Sequence, residues 1–233
     1  MKVKDIVRKV LSRDWSLRAF QAIDAFSENR FAKRGMLAQA FAFAASNKVV
    51  GDYFEFGLSR GETFVMAHRM RRRYEFNQMM LFGFDSFEGL PEIDDARNNV
   101  WSKGQYACSE DEVRRILRRG GLRDDSYALV KGHYEKSLSD DVHKTLSGRR
   151  ASIVYIDCDL YSSAKLALNF IERYLVEGSI ICFDDYYCYK GNPHQGEQRA
   201  LREFLRDSER KFTPWVTYFP LGQSFIVRER DDR

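Results

Sequence analysis

Four apolar runs constrain what this chain can fold into. Tyr53–Phe56, Met79–Phe84, Ser152–Ile156 and Ile180–Phe183 are nearly continuous in hydrophobic residues, and each gives way at once to glycine or aspartate: Gly57, Asp85, Asp157 and Asp184. A strand with one wet face alternates apolar and polar residues, whereas a strand covered on both faces does not. Tyr127–Val130 adds another short strand. Between the runs lie segments with helical spacing: Thr63–Arg73, Glu110–Arg119, Ser137–Leu146, Ser163–Leu175 and Glu197–Glu209. This alternation predicts an α/β fold, a parallel sheet with helices on both faces. Val216–Phe219 and Ser224–Val227, joined by a turn at Pro220–Gln223, predict an antiparallel hairpin at one edge. Residues 1–50 carry helical spacing instead, in Val3, Ile6, Val7, Val10 and Leu11 and again in Met36, Leu37, Ala40, Phe41 and Ala44. The expected organisation is a helical cap over residues 1–50 and one α/β domain over residues 51–233.

Composition narrows the function classes. With 38 basic and 34 acidic residues the formal net charge is +4, too balanced for a nucleic-acid binder. Arg71–Arg73 and the arginines at 114, 115, 118 and 119 fall in predicted helices and read as solvated faces. No apolar stretch approaches the ~20 residues of a membrane span, and the first ten residues lack a signal-peptide core. The four cysteines form no CxxC pair, which argues against zinc and leads us to expect a reducing, cytoplasmic setting.

In open parallel sheets, ligands bind at the carboxyl ends of the strands, and there the polar residues gather. Glu55-Phe56-Gly57-Leu58-Ser59-Arg60-Gly61 forms the first strand-to-helix turn. Gly57 permits a tight turn, and Gly61 is expected to open the helix with no side chain in a ligand's way, so that Gly61→Val should abolish binding. The spacing G-x-x-x-G departs from the G-x-G-x-x-G of a pyrophosphate loop, which disfavours NAD. Asp85 ends the second strand, the usual place of a ribose-binding acid. Asp157 and Asp184 each end an apolar run, and Asp185 follows; if the two strands are parallel neighbours, their carboxylates converge on one edge. Carboxylates that close repel unless a cation joins them, and an all-oxygen donor set suits Mg²⁺, Ca²⁺ or Mn²⁺. Asp157, Asp184 and Asp185 are therefore candidate metal ligands. Asp159 is expected to face solvent or cap the next helix, because Ser162 and Ser163 suggest a helix start. With repulsion in mind, Asp184→Asn is expected to stabilise the cation-free protein slightly. The polar stretch Pro91–Ser109, with Trp101 in it, is a candidate lid. His194, in a Gly/Asn/Pro loop, reads as an exposed loop histidine before it reads as a base.

Taken in order, FDSFEGLP (Phe84–Pro91), VKGHYEKSL (Val130–Leu138), IDCDLYSSAKLAL (Ile156–Leu168) and FDDYY (Phe183–Tyr187) resemble the macrocin O-methyltransferase (TylF) family, with EFGLSRGETF as its S-adenosyl-L-methionine (SAM) loop. The resemblance runs from about Gly51 to Leu205. It implies a Rossmann-like class I methyltransferase fold, a mostly parallel seven-stranded sheet with an antiparallel C-terminal hairpin, and a divalent metal, commonly Mg²⁺. It assigns Glu55, Gly57 and Gly61 to the methionine end of SAM, Asp85 with Ser86 beside it to the ribose, Gly132 and His133 to the adenine, and Asp157, Asp184 and Asp185 to the metal. Asp157, next to both cofactor and ion, becomes the candidate catalytic proton acceptor. The implied activity is O-methylation of a hydroxyl on a sugar or glycosylated natural product. The alternative is a phenolic or catechol-type acceptor. A nicotinamide dehydrogenase and a non-catalytic SAM-binding protein are the other classes weighed; the glycine spacing disfavours the first and the acid cluster the second. The expected partner is a small-molecule or glycan acceptor, and the N-terminal helices are the candidate surface for self-association.

Overall fold

A computed structural model of the protein describes residues 14–93, 100–218 and 220–229, with side chains from Ser27 onward. The helical repeat Val3–Leu11, the middle of the candidate lid and Phe219 lie outside these residues. The elements are α1 (Asp14–Ser46), β1 (Asp52–Phe56), α2 (Glu62–Arg73), β2 (Leu81–Asp85), α3 (Glu110–Arg119), β3 (Tyr127–Lys131), α4 (Tyr134–Ser137), α5 (Asp140–Thr145), β4 (Ala151–Ile156), α6 (Tyr161–Ile171), β5 (Leu175–Phe183), α7 (Gly196–Asp207), β6 (Arg210–Tyr218) and β7 (Gly222–Glu229). The strands form one seven-stranded sheet in the order β3-β2-β1-β4-β5-β7-β6. The first five are parallel, and β7 runs antiparallel to both β5 and β6.

Every residue of β1 and β4 is buried, which is why these runs are apolar at consecutive positions. Successive side chains point to opposite faces. Tyr53, Ile153, Tyr155 and Ile180 join Leu37, Phe41 and Phe64 of α1 and α2 on one side. Phe54, Phe56, Val154, Ile156 and Phe183 join Ala164, Leu168 and Leu201 of α6 and α7 on the other. Each large side chain so buried contributes roughly 1.5–3 kcal/mol. The apolar stripe of α1 covers Met36, Leu37, Ala40, Phe41 and Ala44, all buried. The turn before it, which carries Asn29, Arg30 and Lys33, extends to the cleft described below. Among the described residues no helix is long and apolar enough to cross a membrane, and all four cysteines are free and buried.

Four of the elements differ from expectation. The helix expected to reach Leu175 ends at Ile171, and β5 starts at Leu175 rather than Ile180. There the positive φ of Gly178 bends the strand, and Ser179 Oγ donates to Ala151 O at 2.6 Å while accepting from Val176 N at 2.8 Å. The expected helix Ser137–Leu146 is two short ones, α4 and α5. Finally, β6 begins at Arg210 and includes Pro214, with an irregularity in its pairing between Pro214 and Thr217; an edge strand tolerates a proline that a central one would not.

Gly57 shows how tightly the strand ends are joined. Its φ is +88°, and a Cβ there would overlap the carbonyl oxygen of Asp157. Gly57→Ala is expected to cost about 3 kcal/mol or more, from left-handed strain plus overpacking. Urea unfolding measures this; a loss below about 1 kcal/mol would show that the two strand ends part easily.

Candidate functional site

The register brings the strand ends into one row. Phe56 pairs with Phe84 on one side and Ile156 on the other, and Ile156 pairs with Phe183. The next residues therefore lie side by side: Gly57 N donates to Phe84 O, Asp157 N to Phe56 O and Asp184 N to Ile156 O, at 2.8–3.0 Å. Chain order reverses between β1 and β4, the place where open sheets bind ligands. A cleft of about 400 Å³ opens there, lined by Gly57–Arg60, Asp85, Ser86, Gly132, His133 and the acid cluster.

At one end of the cleft, Asp85 organises two loops. Its carboxylate accepts from Leu58 N (2.6 Å), Ser59 N (3.1 Å) and Phe87 N (2.7 Å). Ser59 and Phe87 hold positive φ of 46° and 58°, conformations uncommon for non-glycine residues. Ser86 Oγ donates to Gly89 O at 2.9 Å. Gly132, at φ +131°, donates its N–H to Asp85 O at 2.9 Å, and His133 faces Glu88 at 3.6 Å.

Two expected cofactor residues lie outside the cleft lining. Glu55 has no exposed surface; it accepts from Tyr53 OH (2.5 Å) and Thr63 Oγ1 (2.9 Å). Burial pushes its carboxyl up to about 8, against the opposing hydrogen bonds from Tyr53 and Thr63. Gly61 has a packing reason to be glycine: its φ is +73°, and a Cβ would meet Leu117 at 3.2 Å and Val113 at 3.5 Å in α3.

At the other end, Asp157, Asp184 and Asp185 offer carboxylate oxygens within 4.8 Å of one another. Tyr155 OH donates to Asp184 Oδ1 at 2.6 Å. Buried Glu197 accepts from the backbone N–H of Asp185 at 3.0 Å and so fixes that turn. Burial, then the charge of Asp184, raises Asp157 to about 7 and Asp185 to about 6.

Asp159 corrects the expectation of a solvent-facing or capping residue. It is buried, lines the cleft, hydrogen-bonds Asp185, and is raised to about 10 by burial and the charges of Asp185 and Asp157. Its φ of 60° is unusual for a non-glycine residue and such strain gathers at functional sites. Helix α6 is capped by the Leu160 backbone with no side-chain bond. A second residue that sequence reasoning missed is Lys33. Its Nζ lies 2.6 Å from Asp184 Oδ2 and 3.2 Å from Asp157 Oδ2. Burial alone would lower the pKa of this ammonium, but the charges of Asp157 and Asp184 reverse that and raise it.

The wall above the cluster is aromatic. Trp101 and Tyr106 meet edge to face at 6.0 Å, and both line the cleft. Their segment is pinned by Leu90 N to Gln105 O and Gly104 N to Leu90 O, at 3.0 and 2.9 Å, so the described part of the candidate lid is docked over the site. His194 is exposed and bonds to Arg202, away from the cleft lining.

A family model described as macrocin-O-methyltransferase (TylF) matches residues 4–210. Demethyldecarbamoylnovobiocin O-methyltransferase of Streptomyces niveus is 25% identical over 75% of this chain and 65% of its own length. The 8-demethyl-8-(2,3-dimethoxy-alpha-L-rhamnosyl)-tetracenomycin-C 4'-O-methyltransferase of Streptomyces olivaceus is 26% identical over 76% of this chain and 67% of its own length. The chain thus spans about two thirds of the length of these relatives. Among solved structures, the calicheamicin methyltransferase CalS11 shares the fold with a TM-score of 0.68 at 22% identity, over 100% of this chain and 87% of that one.

Proposed function

The chain belongs to the macrocin-O-methyltransferase (TylF) family, and on that premise we propose that it transfers the methyl group of SAM to a hydroxyl of a sugar or glycosylated natural product, with a divalent cation at the carboxylate cluster. The observation that carries this reading is the single row of strand ends, in which Gly57, Asp85, Asp157 and Asp184 face one cleft. The relative named for a rhamnosyl-bearing tetracenomycin supports the acceptor class.

The site suits the chemistry. The Gly57–Ser59 turn and Asp85 would hold the amino-acid and ribose parts of SAM, and Gly132 and His133 the adenine; all of them line the cleft. Methyl transfer is an in-line displacement, so much of the catalysis is alignment, which contributes up to ~7–11 kcal/mol. Trp101 and Tyr106 offer apolar ring surface to an acceptor held above the acids. Asp157, Asp184 and Asp185 form a hard, all-oxygen donor set that already draws an ammonium, and so fits Mg²⁺ or a similar ion. When bound there, the ion supplies polarisation of the acceptor hydroxyl, lowering its pKa. Asp157, shared between the cluster and the cofactor side of the cleft, is the group that receives the hydroxyl proton.

Isothermal calorimetry tests the cofactor: SAM and S-adenosylhomocysteine are expected to bind and NAD to give no heat. Heat from NAD alone would sink the reading. Methyl transfer to a panel of glycosides and catechols then separates the acceptor classes; turnover confined to catechols would move the assignment to a phenol methyltransferase.

A further inference from the structure

The carboxylate cluster already holds a cation of its own. Lys33, from α1 and 124 residues away in sequence from Asp157, reaches Oδ2 of both Asp157 and Asp184, and its side chain is 18% exposed. The other oxygen of Asp184 accepts from Tyr155. Both oxygens of Asp184 and one of Asp157 are thus engaged, so a divalent ion drawing on these carboxylates meets Lys33 as a rival. An ammonium and a divalent ion cannot share two acids in a part-buried site without strong repulsion. Asn29 and Arg30 lie one helical turn before Lys33 on the same face of α1, and all three line the cleft. A lysine head has a flexible four-carbon stem and an open space to enter.

We propose that Lys33 is the resident counter-ion of the carboxylate cluster, that it competes with the divalent cation for Asp157 and Asp184, and that cation entry turns its ammonium out into the cleft. This rests on the metal reading above. It gives Lys33 two effects: it holds the cluster together in the cation-free protein, and it holds cation affinity below what three free carboxylates would reach.

The test is calorimetric titration of the full chain with Mg²⁺ alone, comparing wild type with Lys33→Met, alongside thermal melts with and without Mg²⁺. Lys33→Met is expected to bind Mg²⁺ at least about tenfold more tightly, to melt at a lower temperature than wild type without the ion, and to gain more than wild type when it is added. Lys33→Arg, which keeps the charge, is expected to stay near wild-type affinity. Lys33→Gln provides the same comparison should the methionine variant not fold. Equal affinity in wild type and the neutral variants, or weaker affinity in the variants, overturns the competition while leaving the metal reading standing. Absence of Mg²⁺ binding in every protein overturns the metal reading and this inference together.

Discussion

Asp184→Asn is expected to lower turnover by at least about a hundredfold, comparable to losing one well-placed electrostatic group in an active site, and to weaken divalent-cation binding in parallel. Asp184 stands at the centre of the cluster, tied to Tyr155 and Lys33. Its charge is what asparagine removes, while shape and the Tyr155 bond are largely kept. On repulsion alone the variant would be slightly more stable than wild type. Lys33 changes the sign: the buried ammonium loses one of two anionic partners, and the expected net effect is a loss of about 1–3 kcal/mol. EDTA is expected to stop the wild-type reaction while leaving SAM affinity nearly intact, because the cofactor turn follows a different strand. Full metal-dependent activity in the asparagine variant would remove Asp184 from the metal site, and a wild-type rate indifferent to EDTA would remove the metal from the reaction.

The second large effect is on stability against pH. Glu55 is fully buried between Tyr53 and Thr63 and titrates near 8 in the folded protein because burial disfavours its charge. Since that value is raised above the model-peptide one, the stability it contributes is complete below the unfolded pKa of about 4.3 and is lost as pH rises through about 8. The slope is about 1.4 kcal/mol per pH unit, several kcal/mol over the window to order of magnitude. Glu55→Gln cannot titrate, so its unfolding free energy is expected to vary less with pH than that of wild type between pH 5 and pH 8. Urea unfolding at both pH values reads the difference; parallel loss in the two proteins would mean that Glu55 is ionised in the fold at neutral pH.

The sheet and the row of strand ends were legible in the sequence because the signal is local. A run buried on both faces must be apolar throughout, and the charge that stops it marks the carboxyl edge. Asp85, Asp157 and Asp184 all sit in the lining expected of them. The burial of Glu55 is not legible, because the same run hides which face each residue takes: it shares a face with Tyr53 two positions earlier and bonds Tyr53 and Thr63 in the core beside α2. Asp159 was misplaced because Ser162 and Ser163 resemble a helix start, whereas the helix begins at Tyr161 and the backbone of Asp159 turns left-handed before it. Lys33 gave no signal at all. One lysine among the charged residues of a long helix reads as solvated, and only the packing of α1 against the sheet, set by Met36, Leu37 and Phe41, brings it to acids more than a hundred residues away.

Gly57 packs directly against the backbone of Asp157, so the turn after β1 and the first acid of the cluster move as one unit. The walls around it come from elsewhere: Asn29 and Arg30 from α1, Trp101 and Tyr106 from the segment before α3, and Pro220 from the hairpin turn. On the proposed function, the catalytic and selective parts are thereby separable in an engineering sense. A library confined to those five positions samples acceptor preference without touching the strand edge, whereas changes at the row itself would sacrifice folding and chemistry together.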